Sequence, residues 1–162
     1  MSDRLYSVLL LILFVSCTKD TTTINAQSSV VASTSLTPTT NRGYLIQHSY
    51  FTLSYSETNR QAEWVAYNLT PESINGPQER TDNFRIDPKV RNNPVGSGDY
   101  SGSGYDRGHL CPAGDMKLNL TSMSETFYMS NMSPQNPSFN RGIWETLESR
   151  LRTWALEKNG VY

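Results

Sequence analysis

Hydrophobic positions fall in four zones separated by polar or Gly/Pro-rich stretches. In Tyr44–Tyr55, aromatic and aliphatic residues alternate irregularly with polar ones, which predicts one or two short strands. Gln61–Leu69 reads as a strand with Trp64 and Ala66 on one face and Val65 and Tyr67 on the other. Ala62, Val65, Ala66 and Leu69 also fit a helical stripe, so a short helix stays open there. Thr126–Met132 predicts a further strand, apolar at 127, 129 and 132, and the prolines of 133–138 predict a loop after it. From Asn140 to about Lys158, Ile143, Leu147, Leu151, Trp154 and Ala155 recur at helical spacing, and Asn159-Gly160 is a stop signal. Between the zones, 70–77, 92–103 and 119–125 read as loops, the second of them mobile.

The remaining apolar run, Leu5–Val15, is shorter than the roughly 20 residues that span a bilayer and has the length of a signal-peptide core. It ends in Phe14-Val-Ser-Cys17, similar to a bacterial lipoprotein signal in which the cysteine is lipidated. The chain is therefore expected to be an exported envelope lipoprotein, or a secreted protein if Cys17 carries no lipid. The Ser/Thr-rich stretch 18–42 reads as a flexible tether, and 43–162 as the folded part.

Composition narrows the function. With 162 residues and 18% charged, the chain fits one domain, and its net charge of -1 gives no global nucleic-acid footprint. Any phosphate affinity must come from a local cluster. Two cysteines exclude a disulfide-stapled scaffold.

The candidate chemistry concentrates in Ser103–Lys117, where His109, Arg107, Asp106 and Asp115 sit between glycines and a proline. A core strand is not written this way. His109 can act as a base near neutral pH, and Arg107, two residues earlier on the same strand face, can donate to phosphate oxygens. The basic run 80–91 offers a further phosphate ligand. Asn140 has an amide oxygen suited to a hard cation such as Mg2+, and Glu148 can hold a water on that cation or pair with Arg152. His48, beside apolar strand residues, reads as a packing or surface residue.

Three strings then converge: Asp106-Arg-Gly-His109, Tyr128-x-Ser-Asn131-x-x-Pro-Gln135 and Asn140-x-Gly-x-Trp144-x-x-Leu-Glu148. Together with Trp64-Val-Ala-Tyr67 and Phe84-Arg-Ile-Asp-Pro88, they closely resemble the DNA/RNA non-specific endonucleases, the Serratia-type nucleases with a ββα-metal finger. The resemblance implies an α+β fold with a central antiparallel sheet. It also implies metal-dependent hydrolysis of DNA and RNA with little sequence specificity. By it, His109 is the general base and Asn140 the direct ligand of Mg2+, with Mn2+ a possible substitute. Glu148 supports the metal through a water, and Arg107 stabilises the transition state. An upstream arginine, Arg80 or else Arg85, meets the phosphate, and Asn131 supports the site. The family's domain is longer, so a C-terminally truncated member is expected; the competing expectation is an envelope-tethered module that binds nucleic acid with weak or no catalysis.

Overall fold

The computed structural model describes residues 37–162, so the expected signal run, Cys17 and most of the tether lie outside the described residues. Three antiparallel strands open the domain: β1 (Tyr44–Gln47), β2 (Phe51–Ser56) and β3 (Gln61–Tyr67), with β2 in the middle. Ile46, Phe51, Leu53 and Tyr55 are buried on this sheet, with Cys111 and Met116 packed against them. The Gln61–Leu69 ambiguity resolves as strand, because pairing with β2 satisfies its backbone. The Glu63 carboxylate accepts the Ser54 hydroxyl at 2.8 Å and the Arg42 N–H at 2.9 Å, fastening the start of the domain to β3.

Two expected loops are helical. Helix α1 (Pro71–Ile74) is started by a Thr70 capping box, and α2 (Leu120–Glu125) by one on Asn119. In both, a serine three residues on returns the hydrogen bond, so a polar stretch becomes a helix start. The expected strand at 126–132 is also displaced. Residues 129–131 form a 3₁₀ turn, and the strand β5 is Met132–Gln135, paired antiparallel with β4 (Asp106–His109). Pro134 is tolerated there because the ribbon has only two strands, leaving its outer edge without a ladder to serve.

The last helical run begins earlier than expected. Asn136 caps a short helix α3 (Pro137–Phe139), which passes through a π turn (Asn140–Trp144) into α4 (Glu145–Lys158). Asn140 is therefore inside the run rather than at its start. The expected buried stripe is corrected as well: Ala155 is buried and Leu151 partly so, whereas Ile143 (64%), Leu147 (44%) and Trp154 (45%) are exposed. Only the C-terminal half of α4 meets an apolar partner, the Leu69–Ile74 cluster. The run ends at Asn159 in the left-handed region (φ 59°), and Val161 then bridges Leu69.

Segment 92–103 is a series of turns rather than a free loop. Asp99 pairs with Arg60 and accepts the Gly96 N–H at 3.1 Å. The basic run 80–91 is also fixed. Asp87, fully buried, accepts from Ser130 Oγ at 2.5 Å and the Lys89 N–H at 2.8 Å, and lies 3.0 Å from His48 Nε2. His48 is accordingly a packing residue, stacked on Tyr128 at 5.0 Å.

The Asn131 amide adds three hydrogen bonds to those that hold the 126–131 segment. Asn131, fully buried, accepts from the Cys111 N–H and donates to the Cys111 and Thr126 carbonyls, each at 2.9 Å. Asn131→Ala leaves three buried backbone groups unpaired and is expected to cost about 3 kcal/mol, read as a lower urea midpoint at unchanged m-value. A loss below about 0.5 kcal/mol would show that the amide clamps nothing.

Candidate active site

The ribbon β4–β5 sets the position of His109. Gly108 is required on β4, because a Cβ there would sit 2.1 Å from the Gln135 side chain across the ribbon. His109 is buried, its ring edge-on to Phe127 at 5.1 Å and tilted to Phe84 at 5.8 Å. Its Nε2 has no hydrogen-bond partner among the described residues. The Trp144 indole donates to the His109 carbonyl at 3.0 Å, so the π turn is tied to the strand beside the histidine. π turns inside helices are frequent at functional sites.

Two arginines flank this ring. The Arg107 guanidinium lies over Phe84 at 3.9 Å, and that of Arg80 over Phe127 at 4.8 Å, so the aromatic pair that buries His109 also carries two cations. Arg80 additionally pairs with Asp82 at 2.6 Å on the surface.

The helical run supplies the opposite wall. Asn140 donates its amide N–H to Asp106 Oδ2 at 2.9 Å, which commits the nitrogen and leaves Oδ1 without a protein partner among the described residues. Arg141 closes on the same carboxylate through Nε at 2.9 Å and Nη2 at 2.7 Å. About three turns further along, Arg152 reaches the fully buried Asp115 at 2.8 Å, and the Tyr67 hydroxyl donates to that carboxylate at 2.9 Å. Glu148 stands farther from Arg152, at 3.9 Å. Arg152 is thus held chiefly by Asp115, and Glu148 keeps its carboxylate at the cleft wall.

His109, Arg107, Arg80, Asn140 and Glu148 all line one open cleft of about 330 Å³. Arg141, Glu145 and Arg152 line it too, so four guanidinium groups face two carboxylates in a chain of net charge -1. Burial, reinforced by Arg80 and Arg107, depresses the His109 pKa to about 3, so its ring is neutral at neutral pH. Burial and the Asp115 charge raise Glu148 to about 7, against the pull of Arg152. Arg141 and Asn140 hold Asp106 below the usual carboxylate range. Burial pushes the Cys111 thiol up, so it is no thiolate nucleophile.

Two sequence candidates stand elsewhere. Arg85 turns away from the cleft, stacked over Tyr128 at 4.0 Å and donating to the Ser124 carbonyl at 2.7 Å. Of the two upstream arginines, the cleft contains Arg80. Asn131 spends its amide on backbone groups and does not reach the cleft, which makes it a clamp behind the site. Sequence reasoning gave no role to Asp115, Arg141 or Trp144, and paired Arg152 with Glu148 alone. The Asp106 carboxylate holds Asn140 and Arg141. The available signal was Asp115 itself, an acidic residue within an apolar stretch that needed a cation.

A hard cation suits this donor set. Asn140 offers a neutral amide oxygen and Glu148 a nearby carboxylate, two oxygen donors on one cleft wall. That fits an ion that keeps most of its waters, as Mg2+ does, rather than a closed zinc site.

The family profile of the DNA/RNA non-specific endonucleases matches residues 31–162. Nuclease C1 of Cunninghamella echinulata var. echinulata is 40% identical over 130 residues, covering 77% of this chain and 51% of the relative. A nuclease of Nostoc sp. is 39% identical over 134 residues (80% and 46%), and human mitochondrial endonuclease G 37% over 114 (69% and 38%). The chain thus spans about half or less of the length of these relatives. In the crystal structure of the EndoG/EndoGI complex, a chain 36% identical superposes with a TM-score of 0.66, covering 72% of this chain and 50% of that one. With the β4–β5 ribbon and the helix that faces it, this is an α+β chain of the ββα-metal kind, and it belongs to the DNA/RNA non-specific endonuclease family.

Proposed function

We propose that the chain is a metal-dependent endonuclease that hydrolyses phosphodiester bonds of DNA and RNA with little sequence specificity. One observation carries the reading: the unpartnered, buried Nε2 of His109 shares a cleft with two arginines and the free amide oxygen of Asn140. A neutral imidazole with an open nitrogen can take a proton from water as the water oxygen attacks phosphorus. Arg107 and Arg80 can then receive the charge that grows on the non-bridging oxygens.

Burial is the main reason His109 is so weak a base, and the two arginines add to it. Once a phosphate neutralises them, their part of that suppression falls and the imidazole becomes more basic when a proton must be taken. Asn140 Oδ1 would hold one Mg2+, with Mn2+ as a substitute, and Glu148 would support it through a water; when bound, the ion supplies positive charge at the leaving oxygen. Asp106 keeps Asn140 in the orientation this requires. Export and lipidation at Cys17 are proposed on sequence grounds alone.

Plasmid DNA and RNA are expected to be cut in Mg2+ and left intact in chelator. His109→Ala and Asn140→Ala should each lower the rate by at least about 100-fold while the far-UV circular dichroism is kept. Cutting that survives both substitutions would sink the reading.

The pH dependence of stability separates the two titrating groups. His109 has a depressed folded pKa, so its contribution is full above 6.5 and is lost as pH falls toward about 3. Glu148 has a raised one, so its contribution is full below 4.5 and is lost as pH rises toward about 7. The slopes oppose each other between 4.5 and 6.5. His109→Gln should therefore flatten the acid-side fall in the metal-free urea midpoint, and Glu148→Gln should remove the opposing loss, each by up to about 1.4 kcal/mol per pH unit. Profiles parallel to wild type in both variants would refute these protonation states.

A further inference from the structure

Beside the cleft, and sharing Arg107, Asn140 and Arg141 with it, lies a second chamber of about 380 Å³. Nothing in the hydrolytic step uses its outer wall, yet that wall is carefully fixed. It is built by the 96–105 segment, which turns through Gly102 (φ 69°) and Gly104 (φ 80°) in the left-handed region. Asp99 anchors it to Arg60, whose Nη2 also donates to the Pro94 carbonyl at 2.9 Å. The Tyr100 hydroxyl accepts from Gln61 Nε2 at 3.0 Å, which ties the wall to β3.

From this anchored wall one aromatic ring is left over. Tyr105 is 54% exposed, lines the chamber, and makes no side-chain hydrogen bond among the described residues, although its backbone N–H is held by Ser103 Oγ at 3.2 Å. The opposite side carries Arg107 and Arg141 against the single carboxylate of Asp106. Arg141 gives Nε and Nη2 to Asp106, and its Nη1 has no partner among the described residues. The chamber therefore combines a fixed, solvent-facing ring with a net positive charge, the pairing that binds single-stranded nucleic acid by stacking bases and tracking phosphates. Its volume lies at the low end of the range for small-molecule sites, about 300–1,000 Å³, and suits one nucleotide rather than a duplex.

We propose that this chamber is a nucleotide subsite: it takes one nucleotide next to the scissile phosphate, with the base on Tyr105 and the adjoining phosphate at Arg141 and Arg107. The proposal rests on the nuclease reading above. Because Asn140 and Arg107 line both spaces, a strand lying in the chamber leads its next phosphate into the cleft beside His109. Stacking on an unpaired ring is indifferent to base identity and to the sugar, in keeping with little sequence specificity. It requires an unstacked base, so single-stranded segments should be favoured over duplex.

The test is fluorescence anisotropy in chelator with a short fluorescein-labelled oligothymidylate and an abasic strand of equal length, on wild type, Tyr105→Ala, Tyr105→Phe and Arg141→Ala. Tyr105→Ala should weaken oligothymidylate binding by about 5- to 100-fold and leave the abasic strand unaffected, and Tyr105→Phe should keep wild-type affinity for both. Arg141→Ala should weaken both strands alike. Equal affinity of Tyr105→Ala and wild type for oligothymidylate, or an equal loss for the abasic strand, overturns the subsite while leaving the nuclease reading intact. A wild-type chain that binds neither strand and cuts no nucleic acid overturns both.

Discussion

The site depends on the contact between the β4–β5 ribbon and the helical run, because the candidate base is on one and the candidate metal ligand on the other. Two polar tethers cross that contact, and a third fastens the helix to the Ala113–Asp115 turn beside it. Asp106 takes Asn140 and Arg141, Trp144 takes the His109 carbonyl, and Arg152 takes Asp115. Each joins a charged or indole group to an acceptor that is buried or partly buried, where an unmade bond is costly. A ribbon of two strands has little stiffness of its own. Spread over four turns of helix, the tethers fix both the distance and the rotation of the helix against the strand.

Electrostatics around the tethers run against stability. A fully buried aspartate and a buried neutral histidine both carry desolvation costs that well-packed apolar residues would avoid. Asp115 offsets its cost with Arg152 and Tyr67, and in doing so draws Arg152 away from Glu148. His109 is left without an acceptor or donor at Nε2. In the His48–Asp87–Ser130 cluster, Asp87 accepts hydrogen bonds that pin the surrounding segment, while His48 Nδ1 is likewise buried without a partner among the described residues. That pin places Phe84, and with it the aromatic wall shared by His109 and Arg107.

Much of this was legible in the chain, for identifiable reasons. Strands within 44–67 and a helix to Lys158 follow from their apolar residues and stop signals, and the glycine-bounded Asp106-Arg-Gly-His109 string stands out as a place for chemistry, on what proves to be strand β4. What sequence missed was set by long-range pairing or by capping. Thr70 and Asn119 start helices in polar stretches through reciprocal serine caps, a local signal that hydrophobic period does not register. The strand of the finger is Met132–Gln135 rather than 126–132, because the register follows His109↔Met132 and the apolar residues before it fill turns instead. The Arg80 or Arg85 alternative was undecidable from spacing; it turns on which guanidinium stacks on Phe127 and which on Tyr128.

The apolar side of α4 bears on how far the site stands by itself. Ile143 in the π turn, and Leu147 and Trp154 after it in α4, follow one side of the helical run and are exposed, yet none takes part in the tethers or lines the cleft. Along the same helical run, Asn140, Arg141, Glu148 and Arg152 face the ribbon and find their partners among the described residues. The helical run thus has a polar side held by hydrogen bonds and ion pairs, a buried contact of Leu151 and Ala155 with the Leu69–Ile74 cluster, and an exposed apolar side. Geometry on the polar side is set by short contacts to β4 and the Ala113–Asp115 turn, and these do not pass through the exposed side. Covering the exposed residues would therefore add stability to the helix as a whole, through apolar burial, more than it would change the separation of His109 from Asn140.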